Sequence, residues 1–432
     1  MVEIKQKPKL HASWIDPNAK EIVRVLQREG FATYLVGGCV RDLLAGLHPK
    51  DYDIATNAEP NQVKRKVWGS YVIGRRFRLV LVKRGDQQYE VATFRRESTP
   101  DDLPPPSDQP LDDELTPPPI QGDNFFGTPE QDAVRRDFTI NALFYDPIKD
   151  ELIDFIDGLK DIQSRTLRMI GDPAARIVED PIRSLRAIRL SHKLHFRIEE
   201  SLRDAIQKNA SEVSKSVLPR RREEYLKFLR LPDPVPAWME LWDLGLMDWI
   251  LPSLKPVFED HNRREIFLHY LHRLEEICVD SSKPTEIYTP VVLAYQRAME
   301  GHPEAEPLLN KLMKDELMMF KAEQAVVFGC LELLSQLDQI DTFRRRGFRR
   351  QQAFLKNESL PIALRVAKVE HHLSAAAYWF WQEQLQQMNQ PQGSRDQNPR
   401  RSQQNRQRPS ATAPEPKPET ETKSEPKAEE KP

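Results

Sequence analysis

The chain has 432 residues, 30% of them charged, with a formal net charge of −2. That length suffices for two or more cores, and the near-neutral balance excludes a globally basic nucleic-acid binder, leaving only local basic clusters for such a role. Its three cysteines, Cys39, Cys278 and Cys330, lie far apart without CxxC spacing, which argues against a zinc site or a disulfide framework and fits a reducing compartment. The opening Met1-Val2-Glu3-Ile4-Lys5 has no apolar leader, and no apolar run approaches the ~18 residues of a membrane span. The expectation is a soluble, cytoplasmic protein with no membrane partner.

In chain order, Asp16-Pro17 supplies an N-cap and N1 pair for a helix ending at Gly30. A strand over 31–36 runs into Gly37-Gly38, and a short helix over 40–44 closes at Gly46. Strand-like runs follow at 52–55, 79–82, 89–94 and 142–145. These elements predict a mixed α/β head over roughly 20–155. It is interrupted over 100–119 by a proline- and acid-rich stretch that reads as a mobile surface loop.

From about Asp161 helical periodicity takes over, as in Ile182, Leu185, Ile188 and in Leu226, Leu229, Trp238, Leu241, Trp242. The prediction is an all-α, elongated neck (156–230) and body (231–388). Residues 389–432 are mostly Gln, Pro, Arg, Glu and Lys, cannot form a core, and are expected to be disordered.

The chemistry centres on Val36-Gly37-Gly38 and, thirteen residues after Gly38, Asp51-Tyr52-Asp53. Residues i and i+2 of a strand share a face, so the two carboxylates project side by side and repel unless a cation lies between them. Paired magnesium ions answer that need, because hard cations bridge carboxylates to phosphates. The double glycine lets backbone approach a triphosphate closely. A third acid has two candidates. Glu90 sits in an otherwise apolar strand, where an unpaired carboxylate is costly; Asp137 follows Arg135-Arg136, whose forks suit triphosphate clamping.

Gly74-Arg75-Arg76-Phe77-Arg78 places a basic trio at a strand entrance, a solvated surface or a phosphate contact. In Glu179-Asp180-Pro181-Ile182-Arg183, Asp180 reads as N-cap and Pro181 as N1 of a helix. Glu179 and Arg183 are spaced to pair, and an acceptor beside a guanidinium on a rigid turn can also read a nucleobase edge. Two further clusters, Arg220-Arg221-Arg222 and Arg344-Arg345-Arg346-Gly347-Phe348, combine charge with neighbouring aromatics and suit the backbone of single-stranded RNA.

Taken together, Gly37-Gly38-x-Val40-Arg41-Asp42, Asp51-x-Asp53, Arg135-Arg136-Asp137-Phe138-Thr139-x-Asn141 and Glu179-Asp180-x-x-Arg183 resemble the class II nucleotidyltransferases, the tRNA CCA-adding enzymes and bacterial poly(A) polymerases. The likeness covers about residues 30–230. Gly74–Leu79 and the segment from Asp123 to Thr128 are similar to the poly(A) polymerase version. The resemblance implies a polymerase-β-like nucleotidyltransferase head, with Asp51 and Asp53 holding two Mg2+ ions and Asp137 a further functional acid. It also implies a nucleotide site made by Gly37, Gly38, Arg41, Arg135, Arg136, Asn141, Glu179, Asp180, Arg183 and Arg186. The implied reaction is untemplated AMP transfer from ATP to RNA 3′ ends. Arg75, Arg76, Arg220–Arg222 and Arg344–Arg346 would hold RNA, and the C-terminal tail could engage protein partners. CCA or A addition to tRNA is the alternative, and a non-catalytic RNA-binding protein a more distant one.

Overall fold

The computed structural model describes residues 4–8, 10, 12–74, 79–97, 125–278 and 280–389. The loop expected over 100–119, Arg75, Arg76, and the tail beyond 389 lie outside the described residues.

Eight strands build the head sheet: β1 (Ile4–Gln6), β2 (Thr33–Val36), β3 (Asp53–Thr56), β4 (Ser70–Ile73), β5 (Leu79–Arg84), β6 (Gln87–Thr93), β9 (Leu143–Asp146) and β10 (Glu151–Asp154), while β7 (Arg95–Arg96) and β8 (Phe125–Phe126) form a separate ribbon. The order across the sheet is β1-β10-β9-β2-β3-β6-β5-β4, and only the β3–β6 pair is parallel. The sheet is therefore mixed, as expected. Strand β1 carries three exposed residues and no apolar alternation, so nothing in its sequence announces it.

Helix α1 (Pro17–Arg28) starts where the Asp16 carboxylate accepts the Ala19 amide at 2.9 Å, and the chain turns away at Gly30 in a left-handed conformation. It buries Ala19, Ile22, Val23 and Leu26 on one face of the sheet, over β2 and β3, where Leu35 and Ile54 are also buried. On the other face, a small cluster of Val36, Ala55, Phe94, Ala133, Phe144 and Ile153 covers the middle strands. Helices α2 (Gly38–Leu44), α3 (Pro60–Lys66), α4 (Pro129–Val134) and α5 (Gly158–Gln163) complete the head.

Beyond residue 161 the described chain is helical apart from two two-residue strands. Helix α6 (Pro173–Glu179) leads through a tight turn into α7 (Ile182–Leu194), followed by α8 (Glu200–Lys208), α9 (Leu218–Leu229) and the body helices. Asp180 is not the expected N-cap. Its amide closes α6 on the Arg176 carbonyl at 3.2 Å, and its carboxylate is taken by Arg220, so α7 begins after Pro181. Among the described residues no helix is long and apolar enough to cross a membrane.

Candidate active site

The Asp-x-Asp pair stands at the entry to β3, because Tyr52 is buried between the two aspartates with its hydroxyl on the Trp14 carbonyl. That pinning leaves Asp51 and Asp53 accessible on the other side. Glu90 is the register partner of Asp53 across the parallel pair, so it joins the same face. Desolvation by the surrounding protein, then the charge of Glu90, push the Asp53 carboxyl up to about 6; Asp51 adds to this, while Arg136 and Arg41 oppose it. Asp53 and Glu90 sit side by side, the charge of Asp51 also reaches Asp53, and hard divalent cations suit such carboxylates. Among the described residues no three His, Cys, Asp or Glu side chains are arranged to hold an ion alone. Ions held there would share their coordination with a ligand such as a triphosphate.

Gly37 links β2 to α2 with φ +70° and ψ −130°. A Cβ at this position would lie 3.2 Å from Arg136 Nη1 and 3.7 Å from Asp53 Oδ2, so glycine keeps the space between guanidinium and carboxylate open. Gly38, already helical, carries neither constraint: its nearest neighbour is Arg41 Nη2 at 3.5 Å.

The arginine pair is held by Asp132, an anchor on α4 that the sequence reading did not single out. Asp132 accepts from Arg135 Nε at 3.1 Å and from Arg136 Nη2 at 2.8 Å. It is buried, and desolvation alone would raise its carboxyl; Arg136 and Arg135 outweigh that and hold it below the ordinary aspartate range. Its spacing, three and four residues before the two arginines on a helix, was the available signal. Arg176, also unforeseen, donates to the carbonyls of Arg135 at 2.8 Å and Arg136 at 3.0 Å, fixing the end of α4 to α6.

Asp137 belongs to a longer chain of bonds. Its Oδ1 accepts from the Phe138 amide and from Asn141 Nδ2, both at 2.9 Å, and Arg186 Nη2 stands 2.7 Å from its Oδ2. Burial opposes its charge, but Arg186, Asn141 and the Phe138 amide hold its carboxyl below the usual range. Asn141 Oδ1 accepts from Arg41 Nη1 at 2.7 Å, Arg41 pairs with Asp42, and Asp42 accepts from Lys193 Nζ at 2.7 Å. Since Arg186 and Lys193 are two turns apart on α7, the neck helix grips the head at both ends of this chain.

Between these elements lies a cleft of about 590 Å³ lined by Gly37, Gly38, Arg41, Asp53, Arg135, Arg136, Asp137, Asn141, Asp180, Arg183, Arg186, Arg189 and Lys227. Seven cationic side chains against three aspartates leave a surplus of four positive charges, which suits a polyanion. Most of the residues singled out from the sequence thus converge on one wall-to-wall site. Arg189 and Lys227, which grip Glu224 at 2.6 and 3.1 Å, were not foreseen.

Three of the singled-out residues, Glu90, Glu179 and Asp51, are not among those lining the cleft. Glu179 pairs with Arg183 at 2.7 Å, as its spacing suggested, and also with Arg176 at 2.8 Å, so it anchors Arg183 from behind rather than lining the cleft. Asp51 lines a neighbouring cavity of about 580 Å³ with Tyr52, Asp86 and Tyr89.

The basic clusters divide. Arg220 is exposed and forks onto Asp180 at 2.9 and 2.8 Å; Arg221 is half-buried. Arg222 corrects the expected RNA contact: it is buried, 2.5 Å from Glu323 and over the rings of Tyr288 and Phe320. Consecutive helical residues turn by ~100° each, so three in a row cannot share a face. Arg344 and Arg345 are exposed, Arg344 lying over Phe380, whereas Arg346 packs over Phe354; Phe348 is exposed.

Residues 33–168 match the Poly A polymerase head domain, and residues 195–258 match the probable RNA and SrmB-binding site of polymerase A. Together these two matches, both to domains described for poly(A) polymerases, cover less than half of the chain. It is 41% identical to poly(A) polymerase I of Haemophilus influenzae over 245 residues, 56% of this chain and 53% of that protein. With the CCA-adding enzyme of Enterococcus faecalis it shares 38% over 211 residues, 49% of this chain and 48% of that protein. The chain thus spans about half the length of the relatives it matches. The Bacillus stearothermophilus CCA-adding enzyme, solved in complex with CTP, superposes with a TM-score of 0.61 at 25% identity, covering 87% of this chain and 82% of that one.

Proposed function

We propose that the chain is a template-independent poly(A) polymerase that transfers AMP from ATP to RNA 3′ ends. The observation that carries this reading is the single cleft in which Asp53, the glycine turn, the arginine pair and the neck residues Asp180 and Arg183 meet. In the proposed step the RNA 3′-oxygen bonds to the α-phosphorus, the bond to the β-phosphate breaks, pyrophosphate leaves, and the hydroxyl proton passes to solvent. Asp51 and Asp53, with Glu90 beside them, would hold two Mg2+ ions, which when bound acidify the 3′-hydroxyl and neutralise the leaving group.

The protein's own groups do the rest by position. Gly37 and Gly38 let the backbone approach the triphosphate, and Arg135 and Arg136 present forks already oriented by Asp132. Asp137 has one oxygen held by Asn141 and the Phe138 amide and the other in an ion pair with Arg186, while Glu90 is the register partner of Asp53, which favours Glu90 of the two candidate third acids. Asp180 offers acceptors and Arg183 donors to the edge of a base, each pre-set by its own partner.

The second reading, CCA or A addition to tRNA, draws on the CCA-adding relatives and on the structure solved with CTP. Supplying ATP or CTP with a tRNA lacking CCA and with an unrelated oligo(A) primer separates them. Adenylate growth on oligo(A) is expected; efficient CMP incorporation into the tRNA with no growth on oligo(A) would replace the first reading with the second. Asp51→Ala with Asp53→Ala should abolish incorporation and leave RNA binding in place, and undiminished incorporation would refute the assignment of the carboxylates.

A further inference from the structure

The strand registers place one row of side chains across the sheet from the carboxylates to its free edge. Asp53 pairs with Glu90, Glu90 with Leu81, and Leu81 with Tyr71, so all four lie on one face. The opposite face of the same strands is core: Val80, Val82, Tyr89 and Val91 are each buried. Over β2, β3 and β9 the near face is covered by the small apolar cluster. Over β5 and β4 it opens: Leu81 is half-buried, Tyr71 is 59% exposed, Ile73 beside it 40%, and Lys83, two residues beyond Leu81, is exposed. An edge strand that presents a tyrosine and an isoleucine to water, flanked by a lysine and continuous with an acidic site, is a surface built to be covered.

We propose that this face is a stacking platform for the 3′-terminal nucleotides of the acceptor RNA, with Tyr71 under a base and Lys83 toward the backbone. The inference rests on the polymerase reading above and deepens it by locating the acceptor. Continuity selects the occupant. A strand whose 3′-hydroxyl lies at Asp53 has to leave the site along some surface. Beyond Glu90 the row continues through Leu81 and Tyr71 as an apolar, aromatic and open surface, whereas the arginine-lined cleft involves Gly37 on the β2 side of Asp53. Three strand spacings of ~4.8 Å put Tyr71 roughly 14 Å from Asp53, the length of about four stacked nucleotides at ~3.4 Å each. Four steps beyond the 3′-terminal nucleotide bring Tyr71 to about the fifth nucleotide from the 3′ end, and shorter primers never reach it.

The test uses the full chain with ATP and oligo(A) primers of two to ten nucleotides, comparing wild type with Tyr71→Ala and Tyr71→Phe. Base stacking on an aromatic supports an effect of about 5- to 150-fold. Tyr71→Ala should raise the KM for long primers by that factor, leave the KM for ATP and the rate on two- and three-nucleotide primers unchanged, and be rescued by Tyr71→Phe. Because Tyr71 is exposed, thermal melting of the variant should match wild type. Binding of labelled oligo(A), followed by anisotropy, should weaken in parallel. A wild type that elongates RNA while Tyr71→Ala keeps its primer KM at every length overturns the platform and leaves the polymerase reading standing. A wild type that elongates nothing, yet binds oligo(A) in a Tyr71-dependent way, keeps the platform and overturns the polymerase reading. A wild type that neither binds nor elongates RNA overturns both.

Discussion

Gly37 and Gly38 are adjacent, and the structure assigns them different physics. At Gly37 the backbone has φ +70° and ψ −130°, a region close to glycine-only, where a side chain costs about 1–3 kcal/mol. An alanine methyl would also stand 3.2 Å from Arg136 Nη1, tighter than ordinary contact, so the guanidinium has to yield. Gly38 has no positive φ, begins α2, and would place its methyl at an ordinary 3.5 Å from Arg41 Nη2. Gly37→Ala should therefore lose about 1–3 kcal/mol of stability, whereas Gly38→Ala should stay within about 1 kcal/mol of wild type, on the side of a small helical gain. Activity should separate further. The guanidinium has to give by a few tenths of an ångström, less than the ~1 Å misplacement that costs roughly 100-fold, so Gly37→Ala should lose kcat/KM by less than that factor. Gly38→Ala should raise the KM for ATP a few-fold while folding normally. Urea unfolding followed by circular dichroism, alongside AMP incorporation, reads both quantities. A Gly37→Ala protein as stable as wild type, or equal stability losses at the two positions, would refute the reasoning.

Asp132→Asn removes the charge that orients Arg135 and Arg136 and should cost about 3 kcal/mol, since breaking a buried pair strands its partners; the KM for ATP should rise with it. The same site sets an acid limit. The folded carboxyls of Asp132 and Asp137 lie below the ordinary aspartate value, so their stabilisation is present above about pH 4 and is lost as pH falls toward the depressed folded values. Asp132→Asn should flatten the acid limb of the unfolding free energy by up to one proton, and an unchanged limb would count against the assignment. Arg222→Ala should cost about 3–5 kcal/mol by leaving Glu323 buried and unpaired, with no change in the salt dependence of RNA binding. Arg345→Ala should do the reverse, leaving stability intact and lowering the salt slope by about one; a slope change in Arg222→Ala would return that residue to the RNA surface.

What could be read from the sequence was whatever depends on neighbours along the chain. The Asp16-Pro17 helix start, the glycine turn into α2, the alternation that exposes Asp51 and Asp53 around a buried Tyr52, and the Glu179–Arg183 pair are all local, and all are present. What escaped joins residues far apart. Arg41 meets Asn141 across 100 positions, Lys193 meets Asp42 across 151, and Arg222 meets Glu323 across 101. Such contacts leave no periodic trace, because each partner looks like an ordinary polar residue in its own segment. Asp180 shows how the two kinds of information collide. Locally Asp-Pro is a helix start, but Arg220 from α9 offers two charge-assisted bonds where a cap offers one or two weaker ones. The tertiary pair takes the carboxylate, and the helix begins after Pro181.

That competition bears on the site itself. Asp180 and Arg183 reach the cleft already bonded, one to Arg220 and the other to Glu179 and the Arg176 carbonyl. A base that bonds to them meets groups whose rotamers are fixed beforehand, so less side-chain entropy is lost on binding. Selection then depends on how closely the base edge matches a preset acceptor and a preset fork, and a mismatched base leaves those polar groups unpaired. Arg220→Ala should loosen that preset. The expected result is a lower ratio of ATP to CTP incorporation, read as kcat/KM for each nucleotide, with thermal stability nearly unchanged because Arg220 is exposed. An unaltered ratio in that variant would show that Asp180 is held by its own turn, and that the bond from α9 contributes nothing to base choice.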